Sequence, residues 1–163
     1  EVNQGDRIAL CGKNGCGKST ILKFINGNDK IKSTGNFEKA SNLKISYVSQ
    51  DTSYLKGNLS DFAKSENIDE SLFKTILRKL DFSRTHFEKD ISDFSGGQKK
   101  KVLIAKSLCE QAHLYLWDEP LNFIDILSRI QIEDLILKFR STILFVEHDK
   151  TFSEKIATKI LKI

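Results

Sequence analysis

Apolar runs long enough to cross a bilayer are missing from this chain. None approaches the roughly 18 residues of a helical span, and no charged, apolar and small-residue series of a secretory leader opens it. A cytosolic, cytoplasmic setting is the expectation. Cysteine is scarce and odd in number: Cys11, Cys16 and Cys109 share no metal-ligand spacing, which argues against a disulfide or zinc framework in a reducing compartment. Cys16 reads as an exposed thiol. Proline occurs once, at Pro120, and internal repeats and low-complexity linkers are absent. A strong excess of one charge is missing too: 26 Lys and Arg face 22 Asp and Glu, a net +4 that permits an acidic partner such as RNA without arguing for one.

What is present alternates short apolar runs with amphipathic stretches, the pattern of an α/β fold with a parallel sheet flanked by helices. At 163 residues the chain has the size of one domain with one sizeable core, 1–163. Strands are expected at Arg7 to Cys11, Leu43 to Ser49, His113 to Asp118, Thr142 to Glu147 and Lys159 to Ile163, with Gly35 to Glu38 a candidate short antiparallel edge. Helices are expected over Ser19 to Ile25, Glu70 to Leu80 behind an Asp69 cap, about Gly97 to Glu110, Ile126 to Phe139, and about Thr151 to Thr158. The stretch from about 58 to 110 reads as a small helical subdomain.

Gly12-Lys13-Asn14-Gly15-Cys16-Gly17-Lys18-Ser19 matches G-x-x-x-x-G-K-S/T, and it lies between an apolar run and a helical one. Such a P-loop turns backbone N–H groups onto phosphates and opens into a helix whose positive end favours anions. Asn14, Gly15, Cys16, Gly17, Lys18, Ser19 and Thr20 are the phosphate-binding candidates, with Lys18 reaching the β- and γ-phosphates. A plain glycine-rich strand-to-helix turn is the bland alternative.

Leu114-Tyr115-Leu116-Trp117-Asp118-Glu119 is an apolar strand that delivers two carboxylates at its end, where open parallel sheets bind ligands. Asp118 can hold Mg²⁺ with the Ser19 hydroxyl, leaving Glu119 to act as base or orient an attacking water. Pro120 stops the strand. Ser95-Gly96-Gly97-Gln98 reads first as a capping box opening a helix. Its paired glycines also suggest that something, such as a phosphate, approaches the backbone closely.

Phe94-Ser95-Gly96-Gly97-Gln98, between a phosphate loop and Trp117-Asp118-Glu119-Pro120, resembles the signature of ATP-binding-cassette (ABC) ATPases, with Phe94 in place of the common leucine. The likeness extends over nearly the whole chain. It implies a P-loop NTPase sheet, ATP and Mg²⁺ as ligands, and ATP hydrolysis. Gln50 resembles the family's Q-loop glutamine, sensing Mg²⁺ or the attacking water, and His148 its switch histidine at the γ-phosphate. Glu119, His148 and Gln50 are thus the catalytic candidates, and Ser19, Gln50 and Asp118 the metal candidates.

The family shares each nucleotide between two cassettes, so Ser95 and Gly97 would contact the ATP held by a partner cassette. One set of motifs is present, and the upstream aromatic that commonly stacks on adenine lies outside the chain or is absent; a fragment of a longer polypeptide is expected. Glu119-Pro120-Leu121-Asn122-Phe123-Ile124-Asp125 resembles the E-P-T-N-H-L-D of ABC-F translation proteins, departing at Leu121, Phe123 and Ile124 in the manner of the subgroup that protects bacterial ribosomes from antibiotics. No arm is inserted between Gln50 and Ser95, which suits a second cassette. The implied partners are a second cassette and the ribosome with its rRNA. The alternative is the nucleotide-binding domain of a transporter, with a membrane subunit. In a non-catalytic reading ATP binding merely clamps two cassettes around a ribosome and hydrolysis only releases them, and an RNA-binding module would use Lys99-Lys100-Lys101; those lysines read mainly as a solvated face of the signature helix.

Overall fold

The short apolar runs fold into a five-stranded sheet of order β2-β3-β4-β1-β5, with every pair parallel. The computed structural model describes residues 1–28 and 30–163. The strands are β1 (Arg7–Cys11), β2 (Ile45–Val48), β3 (Leu114–Asp118), β4 (Ile143–Val146) and β5 (Lys159–Lys162). Their register stacks Leu10 on Val146, Val48 on Trp117, and Asp118 on Val146, so β1, β2, β3 and β4 all end at one edge. That carboxyl edge is where the loops carrying Gly12, Ser49, Glu119 and Glu147 emerge.

Alternation along each strand sends side chains to opposite faces. Ile8, Leu10, Leu114, Leu116, Leu144 and Val146 share one face with Leu22 of helix α1 (Lys18–Ile25). The other face, through Ala9, Val48, Tyr115, Trp117, Ile143 and Phe145, joins a larger core. Its helices are α2 (Leu59–Ser65), α3 (Glu70–Lys79), α4 (Gly96–Cys109), α5 (Ile126–Phe139) and α6 (Lys150–Ile156), with short 3₁₀ turns at Arg84–Glu88 and Ile91–Asp93 between α3 and α4. Each of these α-helices starts at a side chain that accepts a backbone N–H of the first turn: Asn58 from Asp61, Asp69 from Leu72, Ser95 from Gln98, Asp125 from Ser128 and Asp149 from Phe152. Such caps stabilise a helix by about 1 kcal/mol each.

The expected elements form, with ends shifted by one or two residues, and α2 appears in addition inside the stretch expected to be helical. The antiparallel edge at 35–38 does not form. A lone extended segment gains nothing without a ladder to join, and here Gly35 turns at φ 99° while the Phe37 ring lies 4.9 Å from that of Phe24 on α1.

Candidate active site

Gly12 leaves β1 into the phosphate loop, whose tightness is set by contact: a Cβ on Gly12 would stand 2.6 Å from both the Cys16 sulfur and the Ile163 carbonyl oxygen. Gly15 and Gly17 adopt φ 80° and 102°, backbone that only glycine enters readily. Gly17 caps α1 with no side-chain hydrogen bond, so the first-turn N–H groups are left to an anion. The Lys18 ammonium folds back over the loop, donating to the carbonyls of Gly12 (3.0 Å) and Lys13 (2.9 Å). Asn14 and Cys16 are exposed on the same loop, and Thr20 follows on α1.

Ser19, the second residue of α1, donates its hydroxyl to Asp118 Oδ1 at 2.9 Å, bringing together two of the three residues expected to hold metal, while the third, Gln50, bonds Glu119. Asp118 is 0 % exposed. Burial pushes its carboxyl above the ordinary aspartate range, with the Ser19 bond pulling the other way. Tyr47, on β2, points its hydroxyl at Asp118 Oδ2 from 3.5 Å, and burial, then this carboxylate, push the phenol up to about 12.

Three side chains converge on Glu119, two from other loops and one from its own. Gln50, after β2, donates from Nε2 to Glu119 Oε2 at 2.9 Å; Asn122 donates from Nδ2 to the same oxygen at 2.6 Å; His148, after β4, meets Oε1 from Nε2 at 3.3 Å. A carboxylate only accepts, so in this contact the donor is the imidazole Nε2 of the tautomer that carries its proton there. Glu119 itself sits at φ 48°, a left-handed conformation that a non-glycine residue enters at a cost. Glu147 steadies the histidine loop by accepting N–H bonds from His148 and Leu121. Arg129, on α5, spans the two loops, donating to the carbonyls of Ile124 and Leu121 and to the Asp149 carboxylate at 2.9 Å. Asn122 lay within a recognised stretch without a role, and Arg129 sits in an ordinary helical pattern; only the fold discloses their contacts.

Ser95 and Gly97 stand apart from this cluster. With Phe82, His86, Gln98, Phe123 and Asp125 they line a separate cavity of 330 Å³. The capping box is formed: Ser95 N–H donates to Gln98 Oε1 (2.9 Å) and Gln98 N–H to Ser95 Oγ (3.2 Å). The close approach anticipated for the glycines comes from within the chain, since a Cβ on Gly97 would lie 2.2 Å from the Phe123 carbonyl oxygen. Beside it, Phe123 (84 %), Ile126 (74 %) and Leu127 (71 %) are exposed.

The lysine run is not a solvated face. Only Lys99 lies towards water, for Lys100 and Lys101 are buried at 3 % and 7 % exposure. Lys101 pairs with Asp125 at 2.7 Å. Burial alone would raise the Asp125 carboxyl, but bonds from Lys101 and from the Ser128 N–H and hydroxyl outweigh it and hold the carboxyl well below its usual range. Lys100 donates to the carbonyls of Ser49 (2.7 Å) and Asp118 (3.3 Å). Burial pulls its ammonium below the ordinary lysine value, opposed by Asp118, Glu119, Glu147 and Asp51. Successive helical residues point about 100° apart, and each cation finds an acceptor on a different loop because α4 lies across two of them.

The donors suit ATP with a hard divalent cation. Ser19 and Asp118 offer oxygen only, and among the described residues no group of three His, Cys, Asp or Glu builds an all-protein cage. Mg²⁺ behaves in that way, taking one or two protein ligands and completing its shell with phosphate and water. Among the described residues no helix is long and apolar enough to cross a membrane.

The family model described as ABC transporter matches residues 1–122. The ATP-binding protein Uup of Buchnera aphidicola (subsp. Schizaphis graminum) is 37 % identical over 169 residues, covering 98 % of this chain and 28 % of that protein. ABC transporter F family member 2 of Arabidopsis thaliana is 27 % identical, over 99 % of this chain and 25 % of that one. An archaeal ribosome recycling factor, solved in complex with an archaeal ribosomal stalk protein, superposes with a TM-score of 0.80 at 26 % identity, over 99 % of this chain and 32 % of that chain. The chain thus spans under a third of the length of these relatives. With the phosphate loop, the paired acids and the capped signature helix on one parallel sheet, and a family model over three quarters of its length, the chain belongs to the ATP-binding-cassette family of ATPases.

Proposed function

We propose that this chain is a single nucleotide-binding cassette, part of a longer two-cassette polypeptide, that binds Mg²⁺-ATP and hydrolyses it. The observation that carries the reading is the convergence on Glu119 of Gln50, Asn122 and His148, from three different loops. In this reading the first-turn N–H groups of α1 and the Lys18 ammonium receive the phosphates, Lys18 exchanging its loop carbonyls for phosphate oxygens. Ser19, Asp118 and Gln50 would hold Mg²⁺, which when bound neutralises charge on the β- and γ-phosphate oxygens. Glu119, aimed by its amide donors, takes the proton of the attacking water, and His148 donates towards the γ-phosphate.

Ser95 and Gly97 face the ATP of a second cassette. Their separation from the Glu119 cluster and the exposed Phe123, Ile126 and Leu127 beside them support that arrangement, since an apolar edge of this kind suits a covering surface. Kinship with an F-family member and likeness to a ribosome recycling factor favour an ABC-F role at the ribosome in the cytoplasm, with antibiotic protection as its narrower form. A transporter's nucleotide-binding domain is the second reading, favoured by the description of the matching family model.

Glu119→Gln tests the reading. In the native full-length polypeptide it should leave ATP bound while turnover falls about 10²–10⁴-fold, the loss of a general base. ATP-dependent co-sedimentation of that trapped form with ribosomes supports the ABC-F role; ATP-dependent association with a membrane subunit instead moves the assignment to transport. Native turnover would refute the role given to Glu119.

A further inference from the structure

Two of the residues that meet at the proposed site, Gln50 and Glu119, share an anchor one peptide upstream. The Ser49 carbonyl belongs to the peptide that leads into Gln50, and the Asp118 carbonyl to the peptide that leads into Glu119. Both accept from one ammonium, that of Lys100, at 2.7 and 3.3 Å. The side chains downstream then close the loop, Gln50 Nε2 to Glu119 Oε2 at 2.9 Å. Lys100 itself is fixed: it is 3 % exposed and sits on α4, whose first turn is capped by Ser95 and pressed against the Phe123 carbonyl through Gly97.

We infer that Lys100 is a positioning residue for hydrolysis, clamping the peptides before Gln50 and Glu119 so that amide and carboxylate keep their separation, and tying that separation to α4. The inference rests on the ATPase reading of the site and adds to it an element from the signature helix of the same chain. A lysine suits the task because its ammonium has three donors and no acceptor, so one head can bind two carbonyls whose own lone pairs point at it. The cation also lies among the carboxylates of Asp118, Glu119, Glu147 and Asp51, so removing it would both free the carbonyls and leave those charges opposed. Misplacement of about 1 Å at a reacting centre can cost 10²-fold in rate, which gives such a clamp kinetic weight although it touches no substrate.

The test compares Lys100→Met with Lys101→Met in the native full-length polypeptide. Both remove a buried ammonium from neighbouring positions on α4 and keep a similar aliphatic stem, but only the first unties Ser49 and Asp118. Amide hydrogen exchange without nucleotide should rise about tenfold or more across 45–51 in Lys100→Met and stay native there in Lys101→Met. In turnover, Lys100→Met should lower kcat about 10–100-fold with KM for ATP within roughly twofold, the signature of lost alignment rather than lost binding. Native exchange at 45–51 in Lys100→Met, or an equal rise in both variants, overturns the clamp. If the native protein turns over no ATP, the hydrolysis reading falls while the exchange result still decides the clamp. Should Lys100→Met not fold, Lys100→Gln, which keeps an N–H donor at shorter reach, carries the same comparison.

Discussion

Glu119 and Ser95 mark two regions of opposite energetic character. Glu119 stands at φ 48° beside Asp118, a fully buried carboxyl that burial pushes towards protonation, with the buried Lys100 nearby. A non-glycine residue in that backbone region costs about 1–3 kcal/mol, and a buried acid adds to it. Ser95 opens a helix through a completed capping box, Gly97 lets two backbones touch, and Asp125 is held as a carboxylate by Lys101 and Ser128. In the first region stability is forgone so that acids and amides converge; in the second it is gained by the same bonds that hold the signature serine in place. Sites that do chemistry tend to lie on the destabilised side of such a divide.

The melting temperature of the nucleotide-free protein offers one scale on which to break this contrast. Gly97→Ala should have the largest effect, since the new Cβ meets a backbone carbonyl rather than a flexible side-chain end. Overpacking costs typically 1–3 kcal/mol, and about 2–4 °C of Tm goes with each kcal/mol at this size. A variant that melts with the native protein would show that the Phe123 loop yields freely, and the rigidity assigned to this region would be lost. Ser95→Ala removes the cap and should lower Tm by the equivalent of about 1 kcal/mol, with Ser95→Thr restoring most of it. If threonine restores nothing, the cap is not what Ser95 contributes.

Asp118→Asn should act in the opposite direction and more weakly, raising Tm by a few degrees at about 2–4 °C per kcal/mol relieved. The sign follows from linkage: a carboxyl whose folded value lies above the unfolded one penalises the fold when ionised, and the penalty fades as pH falls through the folded value. The gain from asparagine is therefore expected at pH 7 and should shrink on acidification. Asp125 runs the other way, its stabilisation present above the ordinary aspartate value and lost as pH falls below it. A lower Tm for Asp118→Asn at pH 7 would mean that the cluster is not strained by this charge. The same variant should also lose the part of the ATP-induced rise in Tm that depends on Mg²⁺.

Much of this was legible beforehand where local chemistry decides. The phosphate loop, the Asp118-Glu119 strand end and the Ile126 to Phe139 helix carry their own signals of glycine, period and cap, whereas Gln50 and His148 stand out only through the family resemblance, and their meeting at Glu119 is disclosed by the fold. What failed was decided by distant neighbours. Lys100 and Lys101 look solvated in a row of three, because nothing local reveals that α4 crosses the Ser49 and Asp125 loops. The segment 35–38 has no ladder beside it. Asn58 followed by Asp61 was a readable start for α2, since the asparagine side chain takes the Asp61 N–H at 2.8 Å.

Trp117 is the chain's only tryptophan. It is 1 % exposed, precedes Asp118 on β3, and donates its indole N–H to Ser107 Oγ on α4 at 3.0 Å. Ser107 in turn bonds Ser46 on β2 at 2.6 Å. A single indole thus touches the strand that presents the acids and the helix that presents Ser95, and its emission depends on that hydrogen bond and on dryness. The molecule thereby carries an unlabelled optical gauge between the Glu119 cluster and the Ser95 helix, one whose colour and intensity can be followed in milliseconds as nucleotide is mixed in.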